Sequence, residues 1–158
     1  MMISVIGAGN GCSQHAYALA EAVGAEIGRR GHTVICGGLN GVMEAVCKGA
    51  KSAGGRTIGI LPGEDRNAAN PYVDTPVVTG LGYARNILVA LTGQVAIAVD
   101  GEYGTLSEIA HALGYNKPVI GLKTWLLTRP DGQLERKLIV AEDPVDAVEK
   151  AIAAASQT

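Results

Sequence analysis

The chain has 158 residues, of which 47% are hydrophobic, 18% are charged and 22 are glycine. Thirteen Lys and Arg against fifteen Asp and Glu give a net charge of -2, and the aromatic residues are five Tyr and one Trp. This composition offers neither a basic surface nor many stacking rings, so it argues against a nucleic-acid-binding protein. The length predicts one domain over residues 1–158, with a core that needs no disulfide or metal.

The cysteines and histidines indicate neither disulfides nor a metal site. The cysteines are odd in number and form no CxxC motif, which favours reduced thiols at Cys12, Cys36 and Cys47. The three histidines lack companions at metal-ligand spacing. No apolar run approaches the roughly 18 residues of a membrane span, and no signal-peptide pattern opens the chain. We therefore expect a cytoplasmic protein without metal or membrane association.

In the first half of the chain, short apolar runs alternate with helical patterns. Three strands are predicted: Met2–Ile6, Thr33–Cys36 and Arg56–Leu61. Two helices are predicted, one from Ser13 to about Arg30 and one from Val42 to Ala53. Glu64–Pro76 has no apolar periodicity, which predicts a surface loop.

The second half continues the alternation. Further strands are predicted at Val77–Thr79, Gln94–Val99 and Pro118–Leu122. Helices are predicted at Ala84–Thr92, Leu106–Leu113 and Ala141–Ser156, the last with Asp143 as N-cap and Pro144 behind it. The stretch Lys123–Val140 is interpreted as a hairpin or an irregular excursion.

Continuously apolar strands separated by helices are typical of a parallel sheet that is covered on both faces. The prediction is an α/β fold of the doubly wound, Rossmann-like type, with a mostly parallel sheet. In such folds, ligands bind outside the carboxyl ends of the strands at a topological switch point. Three glycine-rich loops follow predicted strands, so they are the candidate binding elements.

The first two loops offer backbone N–H groups with small side chains, ahead of helix N-termini that favour anions. A tight turn without a ligand is the alternative for the first loop. That loop is not GxGxxG, because residue 12 is Cys12, and no acidic residue closes the second strand to grip a dinucleotide ribose. The candidate ligand-binding residues of the two loops are Gly7, Ala8, Gly9, Asn10, Gly37, Gly38, Asn40 and Gly41.

The third loop adds polar side chains to this pattern. Its candidate ligand-binding residues are Gly101, Glu102, Gly104 and Thr105. Thr105 and Glu108 have the spacing of a capping box, so Thr105 either caps a helix or contacts a ligand. Arg85 is the only Lys or Arg between Arg66 and Lys117, which predicts that it pairs with Glu108, with a phosphate, or with both.

Taken together, the chain contains Gly37-Gly38-x-x-Gly41-x-Met43, then Arg85, then Gly101-x-x-Gly104-Thr105-x-x-Glu108. Over about residues 3–125 this order resembles the lysine decarboxylase-like family, which includes the cytokinin riboside 5'-monophosphate phosphoribohydrolases. The resemblance implies that Arg85 and Glu108 match the catalytic Arg and Glu of the hydrolases. It also implies that Gly101, Gly104 and Thr105 match their phosphate loop.

Three residues depart from the hydrolase pattern, which reads Pro-Gly-Gly-x-Gly-Thr-x-x-Glu and places Arg-Lys at 85–86. Asp100 replaces the proline, Glu102 the second glycine, and Asn86 the lysine. An added carboxylate and a missing cation both oppose phosphate binding in a glycosidic hydrolase. In these features the chain looks more like the branch that includes the molybdenum cofactor carrier proteins, which bind a phosphorylated pterin without known turnover.

The leading hypothesis is a non-catalytic carrier that holds a phosphorylated heterocycle on the glycine loops, with Arg85 and Asn86 beside them. The cargo is a nucleotide or the molybdenum cofactor. The alternative is a nucleoside 5'-monophosphate phosphoribohydrolase with Arg85 and Glu108 as catalytic residues. A DNA-processing accessory role is a third hypothesis, which the acidic balance opposes.

The helix segment Ile87–Leu91 is apolar on nearly every face and predicts a homodimer or homotetramer, as the resemblance also implies.

Overall fold

The computed structural model describes residues 1–157. Its strands are β1 (Met2–Gly7), β2 (Thr33–Cys36), β3 (Arg56–Leu61), β4 (Thr75–Val78), β5 (Val95–Val99), β6 (Val119–Leu122) and β7 (Leu138–Ala141). Its α-helices are α1 (Gln14–Arg29), α2 (Val42–Ser52), α3 (Asn86–Thr92), α4 (Tyr103–Gly114) and α5 (Pro144–Ala155). Short 3-10 helices lie at Arg66–Ala68 and Gly82–Arg85. No helix within residues 1–157 has the length and hydropathy of a membrane span.

The strands form one sheet in the order β4-β3-β2-β1-β5-β6-β7, and every pairing is parallel. The predicted doubly wound α/β fold is therefore confirmed. Apolar side chains of the sheet pack on both faces: Ile3 and Val5 face the layer of α1, α2 and α5, whereas Ile6 faces α3 and α4. The chain order reverses beside β1, which pairs with β2 on one side and with β5 on the other. This junction is the topological switch point.

The prediction missed one strand and misplaced the start of another. β7 overlaps the end of the stretch Lys123–Val140, which was interpreted as a hairpin or irregular, and extends to Ala141. The bridge between Thr128 and Leu134 does make an antiparallel contact in that stretch. The two middle residues of β7 are exposed and its end residues are buried, so the strand shows no alternation. β4 begins at Thr75 and includes Pro76, which the prediction assigned to a loop. A proline is tolerated there because β4 is an edge strand.

Three helix starts also differ from the prediction. α3 begins at Asn86, and the residues before it form a 3-10 helix. α4 begins at Tyr103, three residues before the predicted start. α5 begins at Pro144, three residues after the predicted Ala141, which ends β7. The predicted N-cap is confirmed, because the Asp143 side chain accepts a hydrogen bond from the backbone of Asp146 and Pro144 lies in the first turn. The first turn of α4 therefore belongs to the wall of the site described below.

Helices α1 and α2 are in direct backbone contact at two glycines. A Cβ at Gly24 would lie 2.0 Å from the carbonyl oxygen of Val46, and a Cβ at Gly49 would lie 1.9 Å from that of Glu21. Neither carbonyl can move without disturbing its helix. This close packing holds α2 against the sheet and so fixes the loop that precedes it.

We expect Gly49→Ala to destabilise the protein by about 1–3 kcal/mol, because the added methyl group forces the two helices apart. Gly114→Ala is the matched control, since nothing lies within 4 Å of a Cβ at that helix end. The control should be neutral or stabilising by up to about 1 kcal/mol. The measurement is urea unfolding followed by circular dichroism. Equal midpoints for Gly49→Ala and the parent would contradict the close packing.

Candidate functional site

A cleft of about 1040 Å³ opens at the carboxyl ends of β1, β2 and β5, at the switch point. Its walls come from the three glycine-rich loops, the 3-10 helix before α3, and the first turns of α4. The structure brings together most of the predicted site residues. Those that line the cleft are Gly7, Ala8, Gly9, Asn10, Gly37, Asn40, Arg85, Asn86, Glu102, Gly104, Thr105 and Glu108.

Three predicted ligand-binding glycines, Gly38, Gly41 and Gly101, lie outside the cleft lining. Their φ angles are +77°, +66° and +120°, a region that L side chains rarely adopt. A Cβ at Gly41 would also lie 2.2 Å from the carbonyl oxygen of Gly9. These glycines shape the loops, and their neighbours form the surface of the cleft.

The first two loops are joined to each other. The backbone N–H of Val42 donates to the carbonyl oxygen of Ala8 at 2.9 Å, and the Asn40 amide donates to Asn10 Oδ1 at 2.7 Å. The second loop is also held from behind by Asn70, whose amide donates to the carbonyl oxygens of Gly38 and Leu39. Sequence reasoning missed Asn70, because it lies in a segment that was interpreted as a surface loop. No local sequence pattern indicates a contact between Asn70 and residues about 30 positions earlier in the chain.

Arg85 is buried at the floor of the cleft, with 7% of its surface exposed. Its Nη1 donates to Asn86 Oδ1 at 2.6 Å, and its Nη2 donates to the Gly37 carbonyl oxygen at 3.3 Å. The predicted pairing with Glu108 is present, with 3.9 Å between Nη1 and Oε1. The Nε atom has no partner within residues 1–157. The guanidinium thus connects the second loop, α3 and α4.

Glu108 is buried beside this cation, and burial raises its pKa to about 8 although Arg85 acts in the opposite direction. Burial also lowers the pKa of Arg85, but an arginine starts so high that it keeps its charge. Near neutral pH, Glu108 therefore holds its proton while Arg85 is cationic. The floor of the cleft has a net positive charge, which favours an anionic ligand.

The capping-box interpretation of Thr105 is wrong. α4 begins at Tyr103 with Glu102 at the N-cap position, and the Glu102 side chain makes no capping hydrogen bond. Thr105 lies inside the first turn and is 2% exposed, so it does not cap the helix. The backbone N–H groups of a first helical turn lack partners within the helix, and the first-turn residues Gly104 and Thr105 line the cleft.

Asn86 occupies the position where the hydrolase pattern has lysine, and its side chain is buried. Besides accepting from Arg85, its amide nitrogen donates to Ser107 Oγ at 3.4 Å, and Ser107 Oγ donates to the Gly104 carbonyl oxygen at 2.7 Å. Asn86 therefore links Arg85 to the first turn of α4. A lysine at this position could not accept a hydrogen bond from the guanidinium.

Several cleft residues were not among the predicted site residues. The side chains of most interest are Met43, Tyr83, Tyr103, Ser107 and His111. Tyr103 and Ser107 lie within the third glycine motif and could have been found by extending it. His111 follows Ser107 by one helical turn, the spacing that places two side chains on the same face of a helix.

The fold and the cleft define a Rossmann-like protein with an open cleft at its switch point. The chain belongs to the SLOG cluster 4 family, whose profile matches residues 1–151. It is 46% identical over 123 residues to a protein of Archaeoglobus fulgidus, a match that covers 78% of this chain and 80% of the relative. It is 32% identical to a cytokinin riboside 5'-monophosphate phosphoribohydrolase of Mycobacterium marinum, with 83% of this chain and 82% of the relative covered.

Two solved structures are similar over nearly the whole chain. The molybdenum cofactor binding protein from Rippkaea orientalis has a TM-score of 0.86 at 34% identity, covering 96% of this chain and 95% of that one. The Moco carrier protein from Chlamydomonas reinhardtii has a TM-score of 0.86 at 35% identity, covering 99% and 98%. The predicted resemblance to the family of hydrolases and carriers is confirmed.

The raised pKa of Glu108 predicts a stability that falls with rising pH. The native state keeps a proton that the unfolded state releases near pH 4.5, so this contribution is complete below pH 4.5 and is lost as the pH rises through about 8. Between these values the free energy of unfolding should fall by up to about 1.4 kcal/mol per pH unit. The measurement is urea unfolding at several pH values.

Glu108→Gln should flatten this decline, because the amide cannot titrate. Glu26→Gln is the control, since its arginine partners lower the pKa of Glu26 and place its titration below the window measured. If the parent and Glu108→Gln declined with the same slope between pH 5 and pH 8, the assignment of the proton to Glu108 would be wrong.

Proposed function

We propose that this protein binds the molybdenum cofactor, a phosphorylated pterin, in the cleft and carries it without chemical turnover. The observation that carries the proposal is the similarity to a molybdenum cofactor binding protein and a Moco carrier protein over 96–99% of this chain. A cytoplasmic location, predicted from the free cysteines, is part of the proposal.

The phosphate of the ligand lies against the first turn of α4 and the positive floor of the cleft. Gly104 and Thr105 present backbone N–H groups there, and a Cβ at Gly104 would meet only the Asn86 amide nitrogen, at 3.9 Å. The space above Gly104 is therefore open to a ligand. The Arg85 Nε is buried and has no hydrogen-bond partner within residues 1–157, so the guanidinium keeps one donor unused.

The rest of the ligand extends over the first two loops. Gly7, Ala8 and Gly9 provide a surface of backbone and small side chains, and Asn10 and Asn40 provide amide groups at its edge. Amide donors and acceptors suit a heterocycle such as a pterin or purine, which has both kinds of group on its edge.

The arrangement of charges opposes hydrolysis of a nucleotide. A glycosidic hydrolase needs an ionised carboxylate to stabilise positive charge on the sugar or to activate a nucleophile. Glu108 is protonated near neutral pH and is buried beside Arg85. Glu102 adds a carboxylate at the cleft mouth, and Asn86 supplies no positive charge.

The alternative function is that of a nucleoside 5'-monophosphate phosphoribohydrolase. The 32% identity to the Mycobacterium marinum enzyme favours it. A protonated Glu108 also fits the role of a general acid, which could donate its proton to a departing base. The two functions differ in turnover, so a direct assay separates them.

We expect the protein to release no adenine from AMP above about 10⁻³ s⁻¹, a thousandfold below a slow enzyme of about 1 s⁻¹. The double variant Glu102→Gly with Asn86→Lys restores two residues of the hydrolase pattern and should release more adenine than the parent. The measurement is chromatography of free adenine and ribose 5-phosphate. Glu108→Gln controls for contaminating activity. Release by the parent at an enzyme-like rate, absent from Glu108→Gln, would identify a hydrolase and reject the carrier.

The protein also assembles as a homodimer or homotetramer under this proposal. Leu88 on α3 is 39% exposed and Leu81, just before the 3-10 helix, is 52% exposed. Ile87 and Leu91, which also belong to α3, are only partly buried. An apolar helix face of this kind is stabilised when a second copy covers it.

We expect light scattering at micromolar concentration to give at least twice the mass of one chain. Leu88→Glu should shift the protein toward the monomer, because it places a charge in the apolar contact. Val145→Glu is the control, since Val145 is comparably exposed at 45% but lies on α5. A monomeric parent protein would contradict the prediction.

A further inference from the structure

Two tyrosines at the cleft are far more exposed than large aromatic side chains usually are in a folded protein. Tyr83 is 89% exposed and Tyr103 is 80% exposed, and both line the cleft. The chain has only five Tyr, one Trp and no Phe. Two of its few aromatic rings thus stand at the site with most of their surface uncovered, although burial of such rings stabilises a folded protein.

The two rings come from opposite sides of the switch point. Tyr83 lies in the 3-10 helix Gly82–Arg85, which packs against β3. Tyr103 is the first residue of α4, the helix that follows β5 along the chain. In the sheet, β3 lies on one side of β1 and β5 on the other. The residues therefore approach the cleft from two walls.

Tyr103 is also supported from behind. Its ring centroid is 5.9 Å from that of Trp125, with 39° between the ring planes. This contact holds one ring in a defined position while most of its surface stays open. A supported but uncovered ring is suited to stacking on a ligand.

The cleft has two aromatic rings and the Glu102 carboxylate at its mouth, and the Arg85 cation at its floor. The two tyrosines are 80–89% exposed at the mouth, whereas Arg85 and Glu108 at the floor are 7% and 6% exposed. A ligand that fits this order has a flat ring at one end and an anionic group at the other. Phosphorylated pterins and nucleotides have this form.

We propose that Tyr83 and Tyr103 select the ligand by stacking on its heterocyclic ring at the cleft mouth. This inference rests on the proposed function and adds the element that recognises the ring. The phosphate contributes affinity at the floor. The tyrosines distinguish a phosphate compound that carries a pterin or a base from a simple sugar phosphate.

The test compares three probes by isothermal titration calorimetry: isolated molybdenum cofactor, AMP and ribose 5-phosphate. Tyr83→Ala and Tyr103→Ala should each weaken the binding of the tighter of the two ring-bearing probes by about 5- to 150-fold. Ribose 5-phosphate carries no pterin or base, so its affinity for each alanine variant should stay within about twofold of its affinity for the parent protein. Tyr83→Phe and Tyr103→Phe should bind like the parent because they keep the ring. Tyr115→Ala is the control, since Tyr115 is 61% exposed but lies outside the cleft lining.

The single tryptophan gives a second readout. Because Trp125 contacts Tyr103, a ring that stacks there should change the emission of Trp125, whereas ribose 5-phosphate should leave it unchanged. This readout reports on the cleft mouth separately from overall affinity.

The outcomes separate the stacking proposal from the proposed function. If the parent binds a ring-bearing probe and the alanine variants bind it equally well, stacking is rejected and the cleft remains the site. If the variants lose all three probes equally, the tyrosines do not select the ring and the proposal is overturned. A change in oligomeric mass with unaltered binding would assign them to a subunit contact. If the parent binds neither ring-bearing probe, the proposed function fails and the stacking proposal fails with it.

Discussion

The site depends on the burial of one guanidinium. Arg85 is the only Lys or Arg that is buried among residues 1–157, and a buried cation is costly unless its donors find partners. The Gly37 carbonyl and the Asn86 side chain provide two of them. Gly37 must be glycine for this, because a Cβ there would lie 2.7 Å from Arg85 Nη2. Loop conformation, helix position and charge are thus set by one side chain.

The same burial determines the electrostatic character of the cleft. Desolvation keeps a proton on Glu108, so the acid does not neutralise the arginine beside it. A positive floor next to the first turn of α4 favours an anion, such as the phosphate of the proposed ligand, and a neutral carboxyl does not repel it. Under the proposed function, the residues of a hydrolase pattern hold a ligand in this buried arrangement. Asn86 strengthens this arrangement because it accepts from Arg85 and fixes the adjacent helix.

Sequence reasoning reached the sheet, the glycine loops and the pairing of Arg85 with Glu108, because each has a local or compositional signal. An isolated Arg on an apolar helix is costly unless it is paired, which is why Glu108 or a phosphate was predicted to face it. The prediction from the sequence failed where the sequence pattern was ambiguous or absent. The spacing of Thr105 and Glu108 satisfies a capping box, but the helix begins earlier at Tyr103. β7 shows no alternation, and the contact of Asn70 with the second loop depends on tertiary structure alone.

Native mass spectrometry of protein purified from a host that makes molybdenum cofactor tests the central claim most directly. The protein and its Gly104→Val variant are purified side by side, because a valine at that position projects into the open space of the cleft without a backbone clash. The account predicts that the parent retains a phosphorylated pterin and that the variant, equally folded, does not. A parent that retains no pterin, or a variant that retains as much as the parent, would contradict it.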